Sequence, residues 1–118
     1  MNNTQEPTTR QQKIARQIQK DMADIFAHEL SGKLRGVMTT VTTVRVSPDF
    51  GYAKVYISIF PFESAQTTLD NLRTNNWLLR KALGQRIRNQ LRIVPELEFF
   101  IDDSLEYIEN IDNLLKKN

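Results

Sequence analysis

The chain has 118 residues, 40% of them hydrophobic and 25% charged, which suffices for one globular domain with its own core. It contains no cysteine, so disulfide bonds, thiol catalysis and cysteine-ligated zinc are excluded. Residues 1–94 hold 14 basic and 7 acidic residues, a net charge of +7, whereas residues 95–118 hold 2 basic and 7 acidic residues, a net charge of −5. This asymmetry favours an anionic partner for the basic part, with incidental solvation of charged residues as the alternative.

Residues 1–8 are polar and aperiodic, and they are predicted to be disordered. They lack the apolar core of a secretory signal, and no apolar run approaches the ~18 residues that span a bilayer. The absence of cysteine is compatible with a reducing compartment. We therefore expect no membrane partner.

A first helix is predicted to begin with a capping box of Thr9 and Gln12 and to end at Gly32. Apolar residues recur along it at spacings of three and four, which is typical of a helix packed on a core. They are Ile14, Ile18, Met22, Ile25, Phe26 and Leu30. The cations of another face are Arg10, Lys13, Arg16 and Lys20. This row is interpreted either as an RNA-contacting surface or as a solvated helix face.

Two strands are predicted next. Residues 37–46 are rich in β-branched side chains, but their imperfect alternation leaves open which face of residues 37–43 is buried. Residues 47–51 contain the proline, aspartate and glycine of a turn. Residues 52–60 alternate cleanly between apolar and polar side chains. The two strands should therefore form an antiparallel hairpin.

A second helical region is predicted from about residue 64 to residue 91. Its apolar pattern continues across Gly84, where glycine costs roughly 1 kcal/mol relative to alanine. We therefore expect a bend at Ala82–Gly84 or a division into two helices, with close packing as the alternative reason for the glycine. Between Arg73 and Pro95 the chain carries six basic and no acidic residues, which favours contact with a polyanion.

A third strand is predicted over residues 97–102. Asp103 and Glu106 are spaced to start a short acidic helix in the tail, residues 103–118. An α+β fold follows, in which the helices pack on one face of a three-stranded sheet and residues 9–102 form the domain. The element order of helix, two strands, helix, bent helix and strand is that of a type II KH-like domain.

The sequence contains few residues in patterns that would support catalysis. His28 is the only histidine and lies near the end of a core-packing helix, while Asp102 and Asp103 are adjacent and so point to opposite faces of a strand. No phosphate-binding glycine-rich motif and no set of convergent carboxylates can be identified. We therefore expect no catalytic residue, no metal site and no cofactor.

Over roughly residues 9–115 the chain resembles the bacterial ribosome-binding factor A family. The resemblance depends on the order and spacing of five stretches: Ile14–Leu30, Val44–Asp49, Tyr52–Ser58, Arg92–Phe99 and Asp103–Tyr107. In that family an interhelical Ala-x-Gly kink replaces the Gly-x-x-Gly loop of ordinary KH domains. The resemblance places this kink at Ala82 and Gly84. The loop at residues 31–36 departs from the acidic–Pro–Arg pattern of many relatives.

What the resemblance implies is a monomeric ribosome assembly factor that binds free small (30S) ribosomal subunits in the cytoplasm. Such factors assist late maturation of the small-subunit 16S ribosomal RNA, including processing at its 5′ end, and matter most in the cold. The alternative, from the residues themselves, is a protein-interaction module whose basic face binds an acidic partner.

Three basic segments supply the candidate RNA-binding residues. They are Lys13, Arg16 and Lys20 of the first helix, Lys33, Arg35 and Arg45 of the following loop and strand, and Arg80, Lys81, Arg86, Arg88 and Arg92 of the second helical region. Trp77, Tyr52 and Tyr56 are candidates for stacking on bases. The alternative for the cations is a solvated surface, and the alternative for Trp77 is that it covers the edge of the sheet.

Overall fold

A computed structural model describes residues 6–30, 32, 34 and 36–104. The described elements are helix α1 (Thr9–His28), strands β1 (Met38–Val46) and β2 (Tyr52–Phe60), a 3₁₀ turn (Phe62–Ser64), helices α2 (Ala65–Thr74) and α3 (Asn76–Ile87), and strand β3 (Glu96–Ile101). The strand β2 is central, antiparallel to β1 and parallel to β3. The predicted α+β fold with a KH-like element order is confirmed. The predictions for the disordered start, for Lys33 and Arg35, and for the tail helix fall on or extend into residues outside this description.

The boundaries of α1 differ from the prediction at both ends. Its cap is Thr8, whose Oγ1 accepts from Gln11 N at 3.1 Å while the Gln11 side chain accepts from Thr8 N at 2.9 Å. The predicted pair of Thr9 and Gln12 is therefore wrong by one residue. The helix ends at His28 rather than at Gly32. Leu30 is still buried after the helix has ended, and this continued apolar pattern is what extended the prediction.

A β-bulge settles which face of β1 is buried. Val41 and Val44 both face the core although they are three residues apart. The pairing of β1 with β2 shifts register between Val41 and Thr43, which leaves Thr42 as the extra residue. Because of the bulge, Val44 and Val46 face the core as Val41 does. The bulge also explains why apolar and polar residues alternate imperfectly in this part of the sequence.

The strand β2 has the predicted bounds and burial. Its apolar side chains from Ala53 to Ile59 are buried, and the intervening side chains face the other side of the sheet. In the preceding turn the left-handed residue is Phe50, with φ of 59°, and not Gly51. A bulky residue is rarely found in this region of backbone space. The Phe50 ring lies under the Arg10 guanidinium, whose carbon is 4.5 Å from the ring centroid.

The second helical region is divided into two helices, which is one of the two expected outcomes, but the division lies at Asn75 and not at Ala82–Gly84. Helix α3 runs through both residues without interruption. The Asn75 side chain donates to Asn71 O at 2.7 Å and the Asn76 side chain donates to Leu97 O at 3.0 Å. These amides compete with the backbone for hydrogen bonds at the break, as asparagine side chains commonly do.

The core lies between the helices and the inner face of the sheet. Helix α1 packs on β1, α2 packs on β3, and α3 packs against α1. The fully buried side chains include Ile18, Met22, Ile57, Leu79 and Leu83. Burial of each such side chain stabilises the fold by about 1.5–3 kcal/mol before entropy is counted. The outward faces of α1 and α3 and the open face of the sheet are therefore the surfaces available for a ligand.

Candidate nucleic-acid interface

The outward side of α3 carries an exposed aromatic and cationic stripe. Trp77, Lys81 and Arg88 are spaced by four and seven residues, which places them on one side of the helix, and we call them the α3 stripe. All three are exposed, and 68% of Trp77 is accessible to solvent. The opposite side of the helix is buried. The stripe therefore presents a ring and two cations outward without contributing to the core.

Arg92 and Ile93 lie in the segment that follows α3. Both are exposed, and 77% of Ile93 is accessible to solvent. Among the described residues, no carboxylate lies within ion-pair distance of Lys81, Arg88 or Arg92. Arg92 follows the end of α3, so the expectation that it shares one helical face with Lys81 and Arg88 stays a prediction.

Arg80 faces a different direction and holds the chain before β3. Its Nε donates to Pro95 O at 3.1 Å and its Nη2 donates to Val94 O at 2.8 Å. Its Nη1 lies 3.7 Å from Glu96 Oε1. The guanidinium thus satisfies two carbonyls of a segment that has no ladder partner of its own. Sequence reasoning placed Arg80 in the RNA-binding set and did not foresee this structural role.

Arg86 is also engaged within the protein. Its Nη2 donates to Asp24 Oδ2 at 3.0 Å and lies 3.9 Å from Glu29 Oε1, and its Nη1 donates to Ala82 O at 3.2 Å. Only 26% of its side chain is exposed. These contacts join α3 to α1 and offset the charge of Arg86. The segment from Arg73 to Pro95 has no acidic residue of its own, but at Arg86 the fold supplies carboxylates from α1 and the residue after it.

Gly84 is a packing glycine. A β-carbon at this position would lie 2.9 Å from Val94 Cγ2, closer than real β-carbons approach such atoms. The residue therefore lets α3 approach the segment that Arg80 holds. This is the alternative that sequence reasoning gave for Gly84, and Ala82 beside it is buried in the core.

The outward face of α1 carries a second set of cations. Lys13, Arg16 and Lys20 are exposed and have no ion-pair partner among the described residues. We call these three the α1 row. Arg45 is exposed on β1, across a groove from Arg16. The structure thus brings Arg16 and Arg45 to one site, which their separation in sequence did not reveal.

The open face of the sheet carries the two tyrosine candidates. Tyr52 is 53% exposed. Tyr56 stacks on Phe100 with ring centroids 5.3 Å apart, and the Lys54 ammonium lies 6.0 Å from the centroid of the Phe100 ring. Because one face of the Tyr56 ring is covered, it is a poorer stacking partner for a base than Trp77 is.

The acidic candidates have structural partners. Thr42 Oγ1 donates to Asp102 Oδ2 at 2.7 Å, and Ser104 N donates to Asp102 Oδ1 at 3.0 Å. These bonds hold the pKa of the Asp102 carboxyl below its usual value, with the Thr42 hydroxyl as the largest cause. His28 Nδ1 lies 2.9 Å from Asp24 O and 3.1 Å from Asp24 Oδ1. The expected cap by Asp103 concerns the tail after residue 104, which lies outside the described residues.

The described residues contain neither a metal-binding cluster nor a helix that could span a membrane. Within them, no group of three or more histidine or acidic side chains is placed to hold a metal ion. No helix in this part of the chain is both long enough and apolar enough to cross a bilayer.

Several contacts of this surface were missed by sequence reasoning. The Arg80 clamp, the glutamines that reach the edge of β1 and the break at Asn75 all depend on neighbours distant in sequence. The adjacent asparagines Asn75 and Asn76 were a usable local signal for the break, since asparagine favours helix ends over helix interiors.

Comparisons of the sequence and of the fold with known proteins agree on one protein family. The family model described as ribosome-binding factor A matches residues 10–115. Ribosome-binding factor A of Flavobacterium johnsoniae is 49% identical over 109 residues, which cover 92% of this chain and 84% of that protein.

Two solved structures resemble the fold. The crystal structure of ribosome-binding factor A from Thermus thermophilus has a TM-score of 0.65 and 26% identity, covering 77% of this chain and 94% of its own. The homology model of Thermus thermophilus ribosome binding factor A, as fitted into the cryo-EM map of a 30S complex with this factor, has a TM-score of 0.56 and 25% identity, covering 83% of this chain and 97% of its own. The chain therefore belongs to the ribosome-binding factor A family.

Proposed function

We propose that this protein is a cytoplasmic, monomeric and non-catalytic assembly factor that binds the free small ribosomal subunit through its ribosomal RNA. The observation that carries the proposal is the α3 stripe, in which a ring and two cations without ion-pair partners among the described residues face outward from a helix buried on its other side. The likeness to a ribosome binding factor A that has been fitted into a 30S complex supports the choice of partner.

The α3 stripe and Arg92 suit RNA because each of their groups has a counterpart there. Lys81, Arg88 and Arg92 neutralise phosphates and release condensed counterions, so log affinity falls by about 0.7 per contact for each unit of log salt on single strands. Trp77 stacks on an unpaired base, which is worth about 1–3 kcal/mol. Single-stranded loops and bulges of ribosomal RNA offer both groups together.

We further propose that the bound factor assists late maturation and 5′-end processing of 16S ribosomal RNA, with its greatest effect in the cold. A protein without catalytic groups acts on such a reaction by binding one RNA conformation more tightly than another. Cold slows the escape of RNA from competing base-paired structures, so a factor that favours one of them matters more at low temperature.

The test replaces Lys81→Gln together with Arg88→Gln. We expect the double variant to lose co-sedimentation with free small subunits and to lower the salt slope for ribosomal RNA fragments by about 1.4, at two phosphate contacts of about 0.7 each. The matched control is Lys54→Gln with Arg73→Gln, which removes the same charge outside the stripe. Co-sedimentation of the stripe variant equal to that of the unaltered protein would count against the proposed site.

An acidic protein partner is the competing function, and the same titration separates the two. RNA binding that saturates at physiological salt supports the assembly factor. Binding of acidic peptides together with indifference to ribosomal RNA fragments would instead support the interaction module.

A further inference from the structure

A groove of about 370 Å³ runs between α1 and the edge strand β1, at the opposite edge of the sheet from β3. One wall carries Gln11, Gln12, Arg16 and Gln19 of α1, and the other is residues 42–46. None of the side chains that line it is acidic. The groove therefore combines apolar groups such as Pro7 and Ala15 with amides and positive charge, and no residue of the α3 stripe lines it.

Glutamine amides hold the two ends of the strand edge that forms this groove. Gln11 Nε2 donates to Val46 O at 3.1 Å, and Gln19 Nε2 donates to Val41 O at 3.2 Å and to Thr42 O at 3.4 Å. Residues two apart in a strand direct their backbone groups to the same side. Val44, between Thr42 and Val46, therefore offers one N–H and one C=O to the groove.

Arg16 and Arg45 stand on the two walls. Both are exposed, and neither forms an ion pair within the described part of the chain. Arg45 is directly opposite Lys54 in the β1–β2 ladder, and Lys54 is in turn directly opposite Glu98 in the β2–β3 ladder. Lys54 therefore has a carboxylate as a cross-strand neighbour, whereas Arg45, on the edge strand, has a lysine. An anion between the two walls would pair with both guanidinium groups.

We propose that this groove binds single-stranded RNA, with a phosphate between Arg16 and Arg45 and a base edge against Gln12, Thr43 and the backbone of Val44. Its volume lies near the lower end of the ~300–1,000 Å³ of small-ligand sites, which fits one nucleotide and excludes a duplex. The inference rests on the proposed function because the partner is again RNA. It adds a second contact surface, which recognises the base of an unstacked nucleotide.

The experiment follows backbone amide shifts of the full chain while hexauridylate or hexa-adenylate is added. We expect saturable shifts in residues 42–46 and around Arg16. Arg16→Gln with Arg45→Gln should weaken binding about tenfold at physiological salt and lower the salt slope by about 1.4. Arg16→Lys with Arg45→Lys should keep the slope, and Gln12→Ala should change the ratio between the two oligonucleotides but not the slope. The pair Lys54→Gln and Arg73→Gln is the charge-matched control.

Three outcomes would overturn the proposal. They are shifts confined to α2 and α3, absence of oligonucleotide binding, and equal shifts with hexaglutamate, which would assign the groove to anions in general. The Lys81→Gln, Arg88→Gln protein keeps the two proposals apart. Groove shifts that persist in it show that the groove acts independently. Loss of small-subunit binding only in the groove variant would sink the α3 stripe and leave the groove standing.

Discussion

Arg80 and Lys81 are neighbours in sequence, yet their side chains have different roles in the folded protein. Successive helix residues are separated by about 100° around the axis, so only one of the two can face the segment before β3. Arg80 faces it and donates to two carbonyls, while Lys81 faces solvent. A guanidinium with several fixed donors suits such a clamp better than an ammonium does.

Removing the clamp should therefore lower stability more than removing its neighbour. We expect Arg80→Met to reduce the free energy of unfolding by about 1.5–3 kcal/mol, the usual cost of losing hydrogen bonds from a charged group. Lys81→Met should change it by less than about 0.5 kcal/mol, as surface substitutions usually do. Urea unfolding measures both. Equal midpoints for the two variants would show that the Arg80 contacts contribute nothing.

Gly84 and Val94 should be energetically coupled. In the unaltered protein the helix-propensity gain of Gly84→Ala, about 1 kcal/mol, is opposed by contact between the new methyl group and Val94 Cγ2. We expect Gly84→Ala to be clearly more favourable in a Val94→Ala background. A double-mutant cycle by urea unfolding measures the difference. Additive effects of the two substitutions would mean that the helix relaxes freely and that the glycine is not required for packing.

At the scale of elements, the bulge in β1 joins the first strand to the end of the last. Its extra residue, Thr42, donates a hydrogen bond to the carboxylate of Asp102, which follows β3. The bulge therefore does more than restore the inward phase of the strand. It also directs a hydroxyl towards the chain as it leaves the sheet.

This bond should make stability depend on pH in the acid range. The pKa of Asp102 is lowered from 3.8 in the folded protein, so the unfolded chain binds more protons and stability rises with pH. The contribution is complete above pH 3.8 and is lost as the pH falls through the lowered folded-state pKa. Thr42→Val removes the main cause and should flatten this dependence in urea unfolding between about pH 5 and pH 3. Asp49, whose pKa is also lowered, contributes equally to both proteins. Parallel stability curves for the two proteins would argue against the bond.

Glutamine side chains close the edge of β1. Gln11 is buried, completes the cap of α1 and donates to Val46 O, whereas Gln12 is exposed. We expect Gln11→Leu to cost about 1–3 kcal/mol in free energy of unfolding because it leaves a carbonyl without its partner. Gln12→Leu is the matched control and should cost little. If thermal unfolding shows the same midpoint for both, solvent satisfies the Val46 carbonyl as well as Gln11 does.

At the scale of the molecule, two cationic surfaces lie on helices that share one layer. The α1 row and the α3 stripe have no residue in common, and α1 and α3 pack side by side. A partner as large as ribosomal RNA can engage both together. Arg86 and Asp24 lie between the helices, where their charges offset each other, so the positive charge is divided between two surfaces.

Simultaneous engagement predicts additive loss. Lys13→Gln with Lys20→Gln should lower the salt slope for ribosomal RNA by about 1.4, Lys81→Gln with Arg88→Gln by about 1.4, and all four by about 2.8. Affinity measured from 50 to 200 mM salt checks this. An unchanged slope for the α1 variant would show that only the α3 stripe meets RNA.

Local sequence patterns were enough to predict the element types, the element order and the cationic residues. Hydrophobic periodicity distinguishes helix from strand because it reflects which side chains must leave water, and β2 was therefore predicted with both of its ends. The roles of single residues instead depend on partners that lie far away in the chain. Gly84 is required because a β-carbon there would contact Val94, and Arg80 donates to the carbonyls of residues 94 and 95. Arg16 and Arg45 line the same groove from two different elements. Local patterns carry no record of such contacts, since each is made between segments that only folding brings together.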